Sequence, residues 1–166
     1  ILYRLVGSEM CIRDRYYFPG DGAFRDDQGN YRITGRVDDV VIVSGHNLGT
    51  APIEDAINLH ENVVESALVG YPHEIKGNAL YAFIILKNDK NIDGITVEIN
   101  QLISKTIGPI AKPEKIQIVD GLPKTRSGKI MRRILRKIAA GETDNFGDIS
   151  TLLNPEIVKQ IVNEKN

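Results

Sequence analysis

The sequence has little cysteine, no long apolar run and almost no net charge. Each shortage closes off a class of protein. Cys11 is the only cysteine in 166 residues, which excludes an internal disulfide and fits a reducing compartment. No apolar run approaches the roughly 20 residues that a membrane-spanning helix needs. Lysine and arginine number 21 against 22 acids, a net charge of −1, so no global field points toward nucleic acid or a membrane surface. There is no internal repeat, no low-complexity tract, and no carboxylate or histidine cluster of the kind that signals a metal. What remains, 42% hydrophobic and 26% charged, is a soluble globular composition with room for one domain and some attached chain.

One stretch departs from this balance. Leu122-Pro-Lys-Thr-Arg-Ser-Gly-Lys-Ile130 runs on into Met131-Arg-Arg-Ile-Leu-Arg-Lys137, with seven cations and no acid in the interval. Gly128 allows turn geometry, so the expectation is a small flexible loop with Lys129 at its tip and a basic helix directly after it. Ser127 or Thr125 is placed to cap that helix. A lysine beside helix-start amides suits a phosphate or a carboxylate. Against this stand a solvated basic helix, a P-loop and a nucleic-acid helix. The P-loop fails because Ile130 follows Gly128-Lys129 and Pro123 stands where the first motif glycine belongs. The nucleic-acid helix lacks interleaved aromatics.

Along the chain, residues 23–25 and 31–34 flank a Gly-containing loop and predict a β-hairpin. One hairpin is not stable alone, so it needs a sheet from elsewhere. Residues 40–43 predict a strand and residues 44–49 a loop with two glycines. Thr50 is placed to cap a helix from Pro52 to about His60. Residues 66–70 predict a strand, 71–78 a loop, and 79–86 a strongly apolar central strand. Ile99, Leu102, Ile103 and Ile107 stand at helical spacing after Thr96, and Gly108-Pro109 ends that helix. Residues 115–119 alternate as a strand. Ile130, Ile134 and Ile138 share one face of the basic helix, which Gly141 stops. A polar linker over 142–154 leads to a short amphipathic helix at 155–162. From residue 40 the order is β-α-β-β-α-β-α, an α+β pattern of short sheets with about three helices and a C-terminal helix.

Residues 123–139 resemble the C-terminal signature of AMP-forming acetyl-CoA synthetases, within the acyl-adenylate-forming superfamily. The Pro-x-x-x-x-Gly-Lys core recurs across that superfamily, and the arginine-rich continuation is particular to the acetate enzymes and close relatives. The resemblance runs over about residues 16–166. It implies an end piece of the N-terminal adenylation domain at 16–37, a mobile C-terminal domain at 38–141, and the linker and last helix at 142–166. Residues 1–15 match nothing expected in the family; they are expected to be a non-native leader and carry no role.

The resemblance also implies roles. Lys129 would be the catalytic lysine and a site of reversible acetylation, by a protein acetyltransferase and a deacetylase. Asp21 and Arg36 would meet the ATP ribose. Asn47 stands where many members carry an arginine on ATP phosphate, and it brings no charge. Ser44 and Gly45 would approach CoA. Ser104 occupies a position where an arginine often meets a CoA phosphate, with Lys105 next to it. Asp38 would be the hinge. Carbonyls corresponding to Asn58, His60 and Val63 hold a cation in some relatives. The implied reaction joins acetate, ATP with Mg2+ and CoA in the cytoplasm, with no nucleic-acid or membrane partner. The alternatives are a propionyl-CoA or other short-chain synthetase, and a free-standing module binding CoA or nucleic acid.

Overall fold

The structure is a computed structural model and describes residues 12–13, 16–17, 19–87 and 94–165. It divides after Val40 into two compact units. Cys11 lies outside the described residues, as does the expected leader apart from Ile12–Arg13.

In the first unit β1 (Ile12–Arg13) pairs antiparallel with β2 (Tyr16–Tyr17). The expected hairpin is present as β3 (Asp21–Arg25) and β4 (Tyr31–Arg36), with a register shift at Gly22/Ala23. Its turn closes because Asp26 Oδ1 accepts the backbone N–H groups of Gln28 and Asn30 at 3.0 and 2.8 Å. Those bonds are ordinary Asx-turn chemistry. Bonds from the Asn30 side chain and backbone hold the Asp26 carboxyl below its ordinary value. Phe24, Tyr31 and Ile33 are all exposed.

The second unit is a five-stranded sheet covered on both faces. β5 (Val40–Val43) and β6 (His46–Gly49) form a hairpin, followed by α1 (Thr50–Asn58), β7 (Val63–His73) and β8 (Gly77–Leu86). Then come α2 (Ile95–Thr106), β9 (Lys115–Ile118), α3 (Arg132–Ala140) and α4 (Glu156–Asn163). The strand order is β6-β5-β8-β7, and β9 joins parallel to β8. β8 is therefore central, as its unbroken apolar run predicts. Its side chains alternate between two cores. Leu80, Ala82, Ile84 and Leu86 pack with Ile53 and Ile57 of α1 and Ile99 and Ile103 of α2. Tyr81 and Phe83 pack with Ile134 and Ile138 of α3 and Ile157 and Ile161 of α4.

Four local expectations are corrected. Residues 44–49 are not a loop: Ser44 and Gly45 both have positive φ, 48° and 82°, which is the two-residue hairpin pattern, and β6 follows. Thr50 opens α1 rather than capping it; Gly49 takes the cap position. Residues 71–78 are mostly strand, because β7 pairs with β8 in unbroken register from Glu65↔Ile85 to His73↔Gly77. Finally, Thr125 and Ser127 do not cap α3; its N-cap is Met131, which makes no side-chain cap bond. The linker over 142–154 is polar in composition yet buries Phe146 and Leu152.

Candidate functional site

The loop at 122–130 is cross-linked by its own backbone and side-chain bonds. Lys124 and Ile130 form an antiparallel bridge across it. Thr125 N–H donates to the Lys129 carbonyl at 2.8 Å, and Gly128 N–H donates to the Thr125 carbonyl at 2.8 Å. Lys129 N–H donates to Thr125 Oγ1 at 3.1 Å, so that hydroxyl fixes the loop instead of the helix. Gly128 has φ +83°, a conformation that other residues reach only with strain.

Most of the basic charge after Pro123 has an internal partner. Lys124 Nζ is 2.6 Å from Glu65 Oε2. Arg132 is 2.5 Å from Glu54 Oε2, and Glu54 is buried. Glu54 also accepts the Leu68 N–H on β7 at 2.7 Å. Arg133 donates to the carbonyls of Phe146 and Asp148 at 2.5 and 2.8 Å. Lys137 donates to the Asn145 carbonyl at 2.5 Å and pairs with Glu142 at 3.1 Å. Arg136 has a partner as well. Among the described residues, the exposed side chains of Arg126 and Lys129 have none. The basic helix is thus built into the fold, and two cations on one ordered turn are left for an anion.

The Ser44-Gly45 turn is held with equal care. Ser44 N–H donates to the Lys76 carbonyl at 3.0 Å, and Val43 pairs with Gly77. That second turn is itself pinned. His73 Nδ1 accepts the N–H groups of Ile75 and Lys76 at 3.1 and 3.3 Å, which leaves His73 Nε2 to donate to Glu114 at 3.2 Å. Lys76 Nζ meets the other Glu114 oxygen at 2.9 Å. The Lys76 hydrogen bond, with the Lys76 charge adding to it, lowers the Glu114 carboxyl from its ordinary value against an opposing effect of burial. Ser44, Lys76, Leu80, Pro109, Lys112 and Glu114 are among the residues lining a cavity of about 240 Å³ beside the turn.

The two loops stand at opposite ends of one hairpin. The Lys129 loop is tied to Glu65 at the start of β7, and the Ser44 turn is tied to Lys76 just past its end. At about 3.3 Å per residue the strand between those anchors spans roughly 25 Å.

The first unit brings three expected residues together. Arg36 Nε donates to Asp38 Oδ1 at 2.9 Å, Arg36 NH1 lies 3.6 Å from Asp21 Oδ1, and NH1 also donates to the Pro19 carbonyl at 3.3 Å. The bond to Asp38 and its charge raise the Arg36 guanidinium further above its ordinary value. Val37–Asp39 form a single 3₁₀ turn, and Val37 and Asp38 are largely exposed.

The other expected residues are dispersed. Asn47 is exposed on β6. Ser104 is partly buried in the last turn of α2 and Lys105 is exposed. Asn58 Oδ1 accepts the Ser66 hydroxyl at 2.9 Å. The His60 carbonyl accepts the Val63 N–H, and His60 Nε2 meets Glu98 at 3.0 Å. Glu65 was invisible in the sequence as a partner of the signature, and Glu54 stood there only as one of several acids able to balance the basic stretch. Glu54 is 78 residues from Arg132 in the chain, and no local pattern joins them.

A sequence profile of the AMP-binding enzyme C-terminal domain matches residues 52–129, ending on Lys129. Among curated relatives, an acetyl-coenzyme A synthetase from Alkalilimnicola ehrlichii is 55% identical over 163 residues, 98% of this chain and 25% of the relative. The chain thus spans about a quarter of the length of the curated relatives it matches. Solved structures agree on the fold. ATP-bound MatB from Rhodopseudomonas palustris superposes with TM-score 0.71 at 28% identity, covering 80% of this chain and 26% of that one. The anthranilate CoA ligase AuaEII, in complex with anthranoyl-AMP, gives 0.73 at 30% identity over 80% of this chain and 26% of that one. No helix among the described residues is long and apolar enough to cross a membrane.

Proposed function

We propose that the chain is the mobile C-terminal part of an AMP-forming acetate–CoA ligase that works in two steps. In the first, an acetate oxygen bonds to the α-phosphorus of ATP and pyrophosphate leaves, giving acetyl-adenylate. In the second, the CoA sulfur, having lost its proton, bonds to the acetyl carbonyl carbon and AMP leaves, giving the thioester. Lys129 stands between acetate and the α-phosphate in the first step, where its charge offsets the repulsion of two anions. Ser44 and Gly45 guide CoA in the second. The reading assigns the acyl pocket and the phosphate-gripping loop to a preceding adenylation domain, so these 166 residues alone are expected to turn over nothing.

The observation that carries this reading is that the two loops are anchored at opposite ends of one paired hairpin. At roughly 25 Å along one paired hairpin they cannot serve the same reacting atoms together. A rigid domain that presents them in turn to one site can. Asp38, in the exposed turn just before the division into two units, is the proposed pivot. Asp21 and Arg36 are proposed for the ribose hydroxyls, Asn47 for ATP phosphate, and Ser104 with Lys105 for a CoA phosphate.

Among the described residues no group of three or more His, Cys, Asp and Glu side chains is placed to hold a metal ion. They do not fit a resident Mg2+ site, and no step is assigned to one. A cation at the bend after α1 would rest on the carbonyls of Asn58, His60 and Val63. The exposed Lys129 amine is also the proposed acceptor for a protein acetyltransferase, reversed by a deacetylase, in the cytoplasm; acetylation would remove the charge the first step needs. The test is Lys129→Gln in the full-length enzyme. Acetate-dependent ATP–pyrophosphate exchange should fall at least about 100-fold, the scale of losing one charge aimed at the transition state. Unchanged exchange would reject Lys129 as the first-step residue.

A further inference from the structure

The Lys129 loop is not held by its internal bonds alone. Its outer edge is paired to the chain that comes after α3. Leu153 N–H donates to the Lys124 carbonyl at 2.8 Å, and Thr125 and Leu152 form an antiparallel bridge. Asn154 then reaches both backbone groups at the loop's root. Its Oδ1 accepts the Lys124 N–H at 3.4 Å, and its Nδ2 donates to the Leu122 carbonyl at 3.3 Å. These two bonds are long, so the Leu153 bond supplies the attachment and Asn154 sets its register.

The placement of Asn154 is unusual for its sequence position. An asparagine just before Pro155 and an acidic first turn is well suited to cap α4. Yet α4 has no side-chain cap bond. The amide is turned away from the helix it precedes and onto the loop. A Cβ on Gly121 would press on Ile157 Cδ1 at 3.2 Å, whereas its 3.8 Å approach to Asn154 Nδ2 would be ordinary contact. The path from α3 back to the loop is also fixed. Arg133 and Lys137 grip the carbonyls of Phe146, Asp148 and Asn145, while Phe146 and Leu152 are buried in the α3–α4 core.

We propose that residues 152–154 are a clasp on the Lys129 loop, with Asn154 as the residue that positions it. This rests on the reading of Lys129 given above. The basic helix thereby serves the loop as well as the core, since its cations route the clasp rather than meet a ligand. Asn154 touches no substrate, and it acts by keeping the Lys129 turn in one arrangement.

Two measurements separate the clasp from the reading beneath it. In the 166-residue chain, Asn154→Ala should speed amide hydrogen exchange at Thr125, Lys129 and Leu153 at least about tenfold and leave Tyr81–Ile84 of β8 unchanged. Unchanged loop amides would overturn the clasp whatever Lys129 does. In the full-length enzyme, Asn154→Ala should lower ATP–pyrophosphate exchange at least about tenfold while conversion of supplied acetyl-adenylate stays within about threefold. Asn154→Asp, which keeps the acceptor for Lys124 N–H, should recover part of the loss. Loosened loop amides with normal pyrophosphate exchange would overturn the positioning role, and equal loss of both half-reactions would mark Asn154 as merely structural. If Lys129→Ala left exchange intact, the reading of Lys129 would fall, and the amide result would still decide the clasp.

Discussion

Two kinds of residue meet in this domain, those whose backbone is demanding and those whose side chain is left free. Gly45 is of the first kind. Its φ of +82° and the empty space where a Cβ would stand make strain the sole local cost of Gly45→Ala. That substitution should lower stability by about 1–2 kcal/mol. In thermal unfolding of the chain this is a fall of about 2–8 °C. Lys129 is of the second kind, exposed and unpartnered among the described residues, so Lys129→Ala should move the same midpoint by less than about 2 °C. Glu54 belongs to neither. It is buried against Arg132, whose Nε has no partner among the described residues. Glu54→Ala leaves a part-buried guanidinium and the Leu68 N–H without their carboxylate and should destabilise by about 1–3 kcal/mol. The double change Glu54→Leu with Arg132→Met should recover much of that loss in urea denaturation. If the single and double variants unfold alike, the pair is not what holds α1, β7 and α3 together.

At the scale of elements, the β7–β8 hairpin is the beam on which everything else is mounted. Its distal turn carries a testable electrostatic clamp. The Glu114 carboxyl is lowered chiefly by Lys76, so the clamp stabilises fully above the ordinary glutamate value of about 4.3 and is lost as pH falls through the lower folded value. Both partners are over a third exposed, so the effect is at most about 1 kcal/mol. Glu114→Gln should therefore melt slightly lower than the native chain near about pH 7 and identically near about pH 3. A difference that persists in acid would contradict this clamp. The sequence made some elements plain and hid others for physical reasons. β8 and α2 were legible because an apolar run between two cores and a 3.6-residue period are local signals. β6 was not, because Ser44 shows no sign in its identity of adopting positive φ. The last residues of β7 were not, because Tyr71-Pro72-His73 has turn composition and is held extended by pairing with β8. The signature loop was recognisable as chemistry, but its attachments were not: they run to Glu65 and residues 152–154, which are distant in sequence.

At the scale of the molecule, the chain divides after Val40, one residue beyond the Val37–Asp39 turn, into a small hairpin unit and a larger sheet unit. The sheet unit presents two ordered loops from opposite ends of one beam. If a single reaction site is served first by one end and then by the other, damage at each end should be felt in only one step. The decisive measurement is both half-reactions of the full-length enzyme in two variants side by side. Lys129→Ala should lose acetate-dependent ATP–pyrophosphate exchange yet convert supplied acetyl-adenylate and CoA to thioester. Gly45→Leu, crowding the opposite turn, should keep the exchange and lose the thioester step. The same step failing in both variants, or both steps failing equally in each, would contradict the account.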